Sequence, residues 1–159
     1  MAFQEDVFRI CLGFSRNPAD AEDLAQDVYL KAYRNIKTVH SPYAIKEWLF
    51  RIARNTCLDH MKRTHVAQLF DRHSNRSEVV ENDTPEAGAE VRERLAILKN
   101  AVEQLPKKQR EVFVLREYGG LSYDELARTL GIKTGTVMSR LNRARKAVAN
   151  FMNEAGHGK

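Results

Sequence analysis

The sequence predicts an all-α chain of two small helical domains joined by a flexible linker. Three observations carry that prediction. Apolar residues recur at helical spacing along most of the chain, and strand-like alternation is nearly absent. The periodicity fails over residues 65–84, where the text is polar and its second half is rich in Ser, Asn and Asp. The length of 159 residues suits one domain or two small ones, and a structureless stretch of about 20 residues is unusual inside one compact domain. The expected division is therefore residues 1–64, a linker over 65–84, and residues 85–159.

In the first domain, Phe3, Val7, Ile10, Cys11 and Phe14 form one apolar stripe. Asn17-Pro18 interrupts it, because Asn caps a helix and Pro suits a first turn. The next stripe is Ala21, Leu24, Ala25, Val28, Ala32 and Ile36. Acids crowd its early turns and Lys31 and Arg34 come late, the order that the helix dipole favours. After a connection, Ser41-Pro42 supplies a cap and first turn for a long helix. Its broad stripe is Trp48, Leu49, Ile52, Ala53, Thr56, Cys57, His60 and Met61.

In the second domain, Thr84-Pro85 restarts helix, with a stripe of Val91, Leu95, Leu98, Val102 and Leu105. Pro106 opens another helix, closed by Gly119-Gly120. Ser122 with Glu125 makes a capping box for "SYDELARTL". Gly131 ends that helix, and "GIKTGTVMSRLNRARKAV" begins the last one.

The segment from Leu121 to Val148 is thus a short, partly acidic helix, a glycine turn and a longer basic helix. That is the order of a DNA-binding helix-turn-helix. A recognition helix needs an apolar face toward its partner helix and a face of donors toward the major groove. Val137, Leu141 and Ala144 supply the first. Thr136, Ser139, Arg140 and Arg143 supply the second, and Arg145 and Lys146 are better placed for phosphate. A solvated basic helix would show the same stripe; the capped helix and glycine turn before it favour DNA.

Composition narrows the function classes. A net charge of +5 is a modest basic excess whose distribution matters more than its size. No apolar run approaches the roughly 20 residues of a membrane span, and "MAFQEDVFRICLGF" carries early acids and no cleavage pattern, so a cytoplasmic protein is expected. The two cysteines lie far apart and read as reduced, buried thiols. Among the five histidines, His60 shares a helix face with Cys57, but no second pair at ligand spacing accompanies them. No metal, cofactor or small-molecule substrate is expected, and no nucleophile or phosphate-cradling motif suggests an enzyme.

The stretch "LPKKQREVFVLREYGGLSYDELARTLGIKTGTVMSRLNRARKAV" closely resembles the carboxy-terminal domain of bacterial sigma factors of the extracytoplasmic function (ECF) group, in the sigma-70 family. Response-regulator output domains share parts of it but not the whole. In the first domain, "DAEDLAQDVYLKAYRNI" resembles the segment that grips core RNA polymerase, and "KEWLFRIARNTCLDHMKR" resembles the promoter-melting helix. The resemblance runs from about Phe3 to Phe151, the linker matching only in position and polarity.

The resemblance implies a role for each block. Asp20, Glu22, Asp23, Gln26 and Asp27 would dock onto a coiled coil of the largest polymerase subunit. Tyr43, Lys46, Arg51, Arg54, Asn55, Lys62 and Arg63 would handle the melted minus-ten element, Tyr43 offering a stacking face and Asn55 a base-reading group. Trp48 reads better as core than as a stacking platform, and Ile45 stands where many relatives carry an aromatic. Arg116, Lys133, Thr136, Ser139, Arg140, Arg143, Arg145 and Lys146 would form the minus-35 surface.

Some positions depart from the family pattern. Met138 stands where relatives often have a basic residue, and Lys133 where a Ser or Thr cap is common, leaving Thr134 as the alternative cap. The family also carries a helical segment ahead of the residues matching Phe3. Without one, exposed apolar surface is expected near Phe3, Val7 and Val28. In the linker, Asp71, Glu78, Glu81 and Asp83 stand against Arg72 and Arg76, as an acidic mimic of nucleic acid or a solvated tether. The implied partners are core RNA polymerase, promoter DNA and an anti-sigma factor, with no membrane insertion. The alternatives are a stand-alone helix-turn-helix regulator that does not bind core polymerase, and a protein-interaction module whose basic helix never meets DNA.

Overall fold

The structure, a computed structural model, describes residues 3–70 and 88–157. Contacts divide the chain into two units, Met1–Asn82 and Asp83–Lys159. Every regular element among the described residues is helical.

The first unit holds α1 (Gln4–Ser15), α2 (Pro18–Asn35) and α3 (Ile45–Phe70), with 3-10 turns at Ile36–Thr38 and Pro42–Ala44. The three helices pack pairwise around Val7, Ile10, Cys11, Phe14, Ala21, Leu24, Val28, Ala32, Leu49, Phe50, Ala53 and Cys57. Asn17 caps α2, its side-chain oxygen accepting from the Ala19 and Asp20 amides at 2.9 and 3.2 Å. Replacing Asn17 by alanine should therefore lower stability by about 1 kcal/mol, seen as a lower denaturant midpoint at unchanged slope. Ser41 Oγ accepts from the Tyr43 amide at 3.3 Å and starts the turn that leads into α3.

Several expectations need correction. The linker cannot start at residue 65, because α3 runs on through Phe70. "RTHVAQLF" contains no glycine or proline, and Ala67, Gln68 and Leu69 favour helix even with every residue from 62 to 70 exposed. The rest of the expected linker, with its acids and Thr84-Pro85, lies outside the described residues. The apolar surface expected at Val7 and Val28 is not at those residues. Both are fully buried, and the Phe3 ring packs edge-on to Phe50 at 6.1 Å. On α3 the buried face is Leu49, Phe50, Ala53, Thr56, Cys57 and Leu58, with Trp48, Ile52, His60 and Met61 only half-buried at its edges. Ile36 leaves the α2 stripe, being half exposed in the 3-10 turn.

Cys11 and Cys57 are free and buried. A hydrogen bond between them, reinforced by burial, pushes the Cys57 thiol far above its ordinary range and keeps it neutral. Lys31 Nζ reaches from α2 to donate to the buried Thr56 Oγ1 at 3.1 Å.

The second unit holds α4 (Ala89–Gln104), α5 (Lys107–Glu117), α6 (Tyr123–Leu130) and α7 (Thr134–His157). Its core is Ala101, Val102, Leu105, Val112, Phe113, Val114, Leu115, Leu121, Leu126, Val137, Leu141, Ala144 and Val148. The expected α4 stripe is buried only at its end. Val91 and Leu95 stay 50% and 48% exposed, because only the last turns of α4 lie against the rest of the unit. Those turns end under Arg110, whose guanidinium donates to the Val102, Glu103 and Leu105 carbonyls. Such a partner for orphan carbonyls is what a helix end without a glycine cap requires.

Candidate nucleic-acid interface

Local chemistry positions the helix-turn-helix. Gly120 adopts φ +68° after α5, where the Gly120 and Leu121 amides donate back to the Arg116 and Leu115 carbonyls at 3.0 and 3.3 Å. Ser122 Oγ accepts from the Glu125 amide at 3.1 Å and so starts α6. Gly131 ends it at φ +66°, a left-handed conformation that a side chain would strain, while the Ile132 amide donates to Ala127 at 3.1 Å. Thr134 is then the first residue of α7 rather than its cap. Lys133 occupies the cap position, and its carbonyl accepts from the Val137 amide at 3.1 Å.

Val137, Leu141, Ala144 and Val148 form the buried stripe of α7, as their spacing demands. At about 100° per residue, Thr136, Ser139, Arg140, Arg143 and Lys146 share an arc of about 120° beyond one edge of that stripe. Ser139, Arg143 and Lys146 are exposed, and Thr136 and Arg140 are half-buried. Ser139 Oγ donates to the Thr136 carbonyl at 3.1 Å, leaving its lone pairs outward. Arg140, Arg143 and Lys146 have no ion-pair partner among the described residues. That is a face of poised donors, suited to base edges and phosphates.

Two predicted residues are engaged within the protein. Arg116 donates through Nη1 to the Leu121 carbonyl at 2.6 Å, and its guanidinium lies 5.1 Å from the centroid of the Tyr123 ring. Arg145 donates through Nε and Nη2 to Glu117 Oε1 at 3.0 and 2.7 Å. These bonds push its pKa still higher. An open depression of about 420 Å³, lined by Arg116, Ser122, Tyr123, Asp124 and Thr134, lies where α5, α6 and α7 converge. Met138 is half exposed, and its spacing puts it on the same flank as Asn142 and Arg145, away from Arg143.

In the first unit, Arg51, Asn55 and Lys62 fall on one line along α3, all exposed. Arg54 lies about 60° aside and donates through Nη1 to Asn55 Oδ1 at 3.0 Å. Lys46 and Arg63 stand about 140° and 120° around the helix from Arg51. The Lys46 ammonium instead lies 5.9 Å from the centroid of the Phe50 ring. Tyr43, in the turn ahead of α3, is 94% exposed, as free for stacking as a tyrosine can be.

On α2, Glu22, Asp23, Gln26 and Asp27 are exposed and Asp20 is half-buried. The same exposed side continues through Leu30 and Tyr33, the latter 81% exposed. Sequence reasoning passed over both. Their signal was negative: they fall outside the stripe of Ala21, Leu24, Val28 and Ala32, so an apolar and an aromatic residue point away from the described core of this unit.

Comparison with known proteins gives two ordered matches. A sigma-70 region 2 model matches residues 1–66, and a sigma-70 region 4 model matches residues 95–148. The ECF RNA polymerase sigma factor SigE of Mycolicibacterium smegmatis is 33% identical over 147 residues, covering 92% of this chain. The chain spans 57% of that relative's length. The RNA polymerase sigma-H factor of Pseudomonas aeruginosa is 31% identical over 156 residues, covering 93% of this chain and 81% of that one. Among solved structures, the sigma factor RpoE in complex with the anti-sigma factor NepR, from Bartonella quintana, superposes with a TM-score of 0.78 at 24% identity, covering 96% of this chain and 92% of that one. At that identity the likeness concerns the fold.

Proposed function

Because the chain belongs to the sigma-70 family, in its extracytoplasmic function group, we propose that it binds core RNA polymerase and directs promoter-specific transcription initiation. The observation that carries this reading is the presence in one chain of a helix-turn-helix with a poised donor face and a region 2 unit with two further exposed polar faces. A stand-alone regulator would use the first and leave both others idle.

In this reading α7 lies in the major groove of the minus-35 element, with Ser139, Arg140 and Arg143 toward base edges and Lys133 and Lys146 toward phosphates. Thr136 sits at the groove end of the same face, and Arg116 reaches the backbone from α5. The exposed line of Arg51, Asn55 and Lys62, flanked by Arg54, tracks the melted minus-ten strand. Tyr43 receives a base, and Lys46 and Arg63 meet the backbone to either side. Glu22, Asp23, Gln26 and Asp27, with Asp20 at the helix start, dock on a basic surface of core polymerase, and Leu30 and Tyr33 extend that contact.

The chain supplies no reaction of its own; RNA synthesis belongs to the core enzyme. An anti-sigma factor is a second protein partner, as for the RpoE of the solved complex. No described helix is long and apolar enough to cross a membrane, and the proposed place of action is the cytoplasm, where polymerase and promoter meet.

Reconstitution tests the reading. The chain with core polymerase should give a transcript that starts at a defined site on a template carrying matched minus-35 and minus-ten elements. Failure to bind core, with no specific transcript from any matched template, would overturn it. Within the complex, Arg143→Ala should cost about 1–3 kcal/mol against one particular minus-35 base pair. An equal loss on all sequences would make Arg143 a phosphate contact instead.

A further inference from the structure

Arg145 was expected to contact DNA, yet it differs from the other basic residues of α7. It lies about 160° around the helix from Arg143, and it alone among them has an ion-pair partner among the described residues. Two of its nitrogens converge on one carboxylate oxygen of Glu117, a residue 28 positions earlier on α5. Tyr123, at the start of α6, lies close enough to the same guanidinium to add to the rise in its pKa. Arg116 covers the Tyr123 ring and holds the Leu121 carbonyl. Side chains from α5, α6 and α7 are thus joined at one place.

This arrangement suits alignment and not phosphate binding. The Glu117 carboxylate beside Arg145 cancels its charge and would repel a phosphate brought to it. The apolar stripe of α7 consists of Val137, Leu141, Ala144 and Val148, which fixes the face of the helix that meets the core but lies on its far side from the donors. A forked donor held by a carboxylate on another helix resists rotation of α7 about its axis directionally. Rotation is the variable that decides where Ser139, Arg140 and Arg143 point.

We propose that Arg145 is a positioning residue for minus-35 recognition: clamped by Glu117, it sets the rotation of α7 and makes no phosphate contact. The proposal rests on the sigma-factor reading above, and its test separates the two.

The experiment uses the full chain bound to core polymerase and measures affinity for promoter fragments with matched and mismatched minus-35 elements, across a salt series. The wild-type preference for the matched fragment comes first; its absence would sink the sigma reading whatever the variants do. Arg145→Met and Glu117→Gln should each reduce that preference by about two- to fivefold, the range of a partly exposed pair. The double variant should be no worse than either single one, because both break the same clamp. Arg145→Met should leave the salt slope unchanged. Glu117→Gln should weaken matched binding even though it removes a negative charge from a DNA-facing domain. Exchanging the two residues, Glu117→Arg with Arg145→Glu, should restore part of the preference. A salt slope shallower by about 0.9 in Arg145→Met, one phosphate contact's worth, would overturn the proposal. So would tighter binding by Glu117→Gln, or an unchanged preference in both single variants. Thermal unfolding of each variant identifies any loss of folded protein, and a preference ratio measured on the folded fraction is insensitive to it.

Discussion

Phe50→Ala is expected to destabilise the first unit by about 3–5 kcal/mol, the cost of emptying a large buried aromatic site. Phe50 is fully buried on α3, its ring meets Phe3 edge-on at 6.1 Å, and the Lys46 ammonium lies over it at 5.9 Å. Three losses therefore coincide: the transferred apolar area, the aromatic pair and the cover under Lys46. Domains of this size are stable by only about 5–15 kcal/mol in total, so the variant should lose much of its reserve. Chemical denaturation should show a strongly lowered midpoint for the signal of Trp48, which lies on the same helix. Core polymerase binding should fall in step with the folded fraction. A midpoint lowered by less than the equivalent of about 1 kcal/mol would mean that α1 and α2 collapse into the space and that this core is softer than its burial suggests.

Reversing charge on the exposed face of α2, Asp23→Lys with Asp27→Lys, is expected to weaken binding to core polymerase by at least about a hundredfold. Like charges set against each other across an interface cost several kcal/mol. The fold should not suffer. Both residues are exposed, neither belongs to the buried stripe, and neither has an ion-pair partner among the described residues. Circular dichroism and the melting temperature should stay close to wild type while the complex with core disappears from gel filtration at physiological salt. If the doubly reversed chain still formed the complex, the acids would be helix-start residues serving the dipole of α2, and the docking surface would have to be sought on Leu30 and Tyr33.

Much of the fold was legible because helices are local objects. Caps such as Asn17, Ser41 and Ser122 act on amides two or three residues away, and a stripe such as Val137, Leu141, Ala144 and Val148 needs only the helical repeat. The reading failed where a decision belonged to neighbours distant in sequence. The α3 stripe was broad enough to face the core in more than one rotation, and packing against α1 and α2 chose the one that buries Phe50 and Leu58 and leaves Trp48 at the edge. Val91 and Leu95 matched the stripe of α4 but have no opposing surface among the described residues. Arg16 ends α1 at φ +58°, a conformation that a glycine would have announced and an arginine does not.

By itself the sequence determined the helical class, the capped starts at Asn17, Ser41 and Ser122 and the glycine stops of α5 and α6, the helix-turn-helix, and through its motifs the family. All of these rest on spacings of a few residues or on short ordered patterns. Tertiary structure alone decided which way the broad stripe of α3 turns, how much of the α4 stripe is covered and which basic residues remain available. In "SRLNRARK" the sequence offers Arg140, Arg143 and Arg145 all to DNA, to base edges or to phosphate. Their difference lies in Glu117, which the fold of α5 against α7 brings to within 2.7 Å of Arg145 and of no other arginine on that helix. Charge in a sequence is a composition; whether it is spent inside the protein or offered to a partner is set by what packing places beside it.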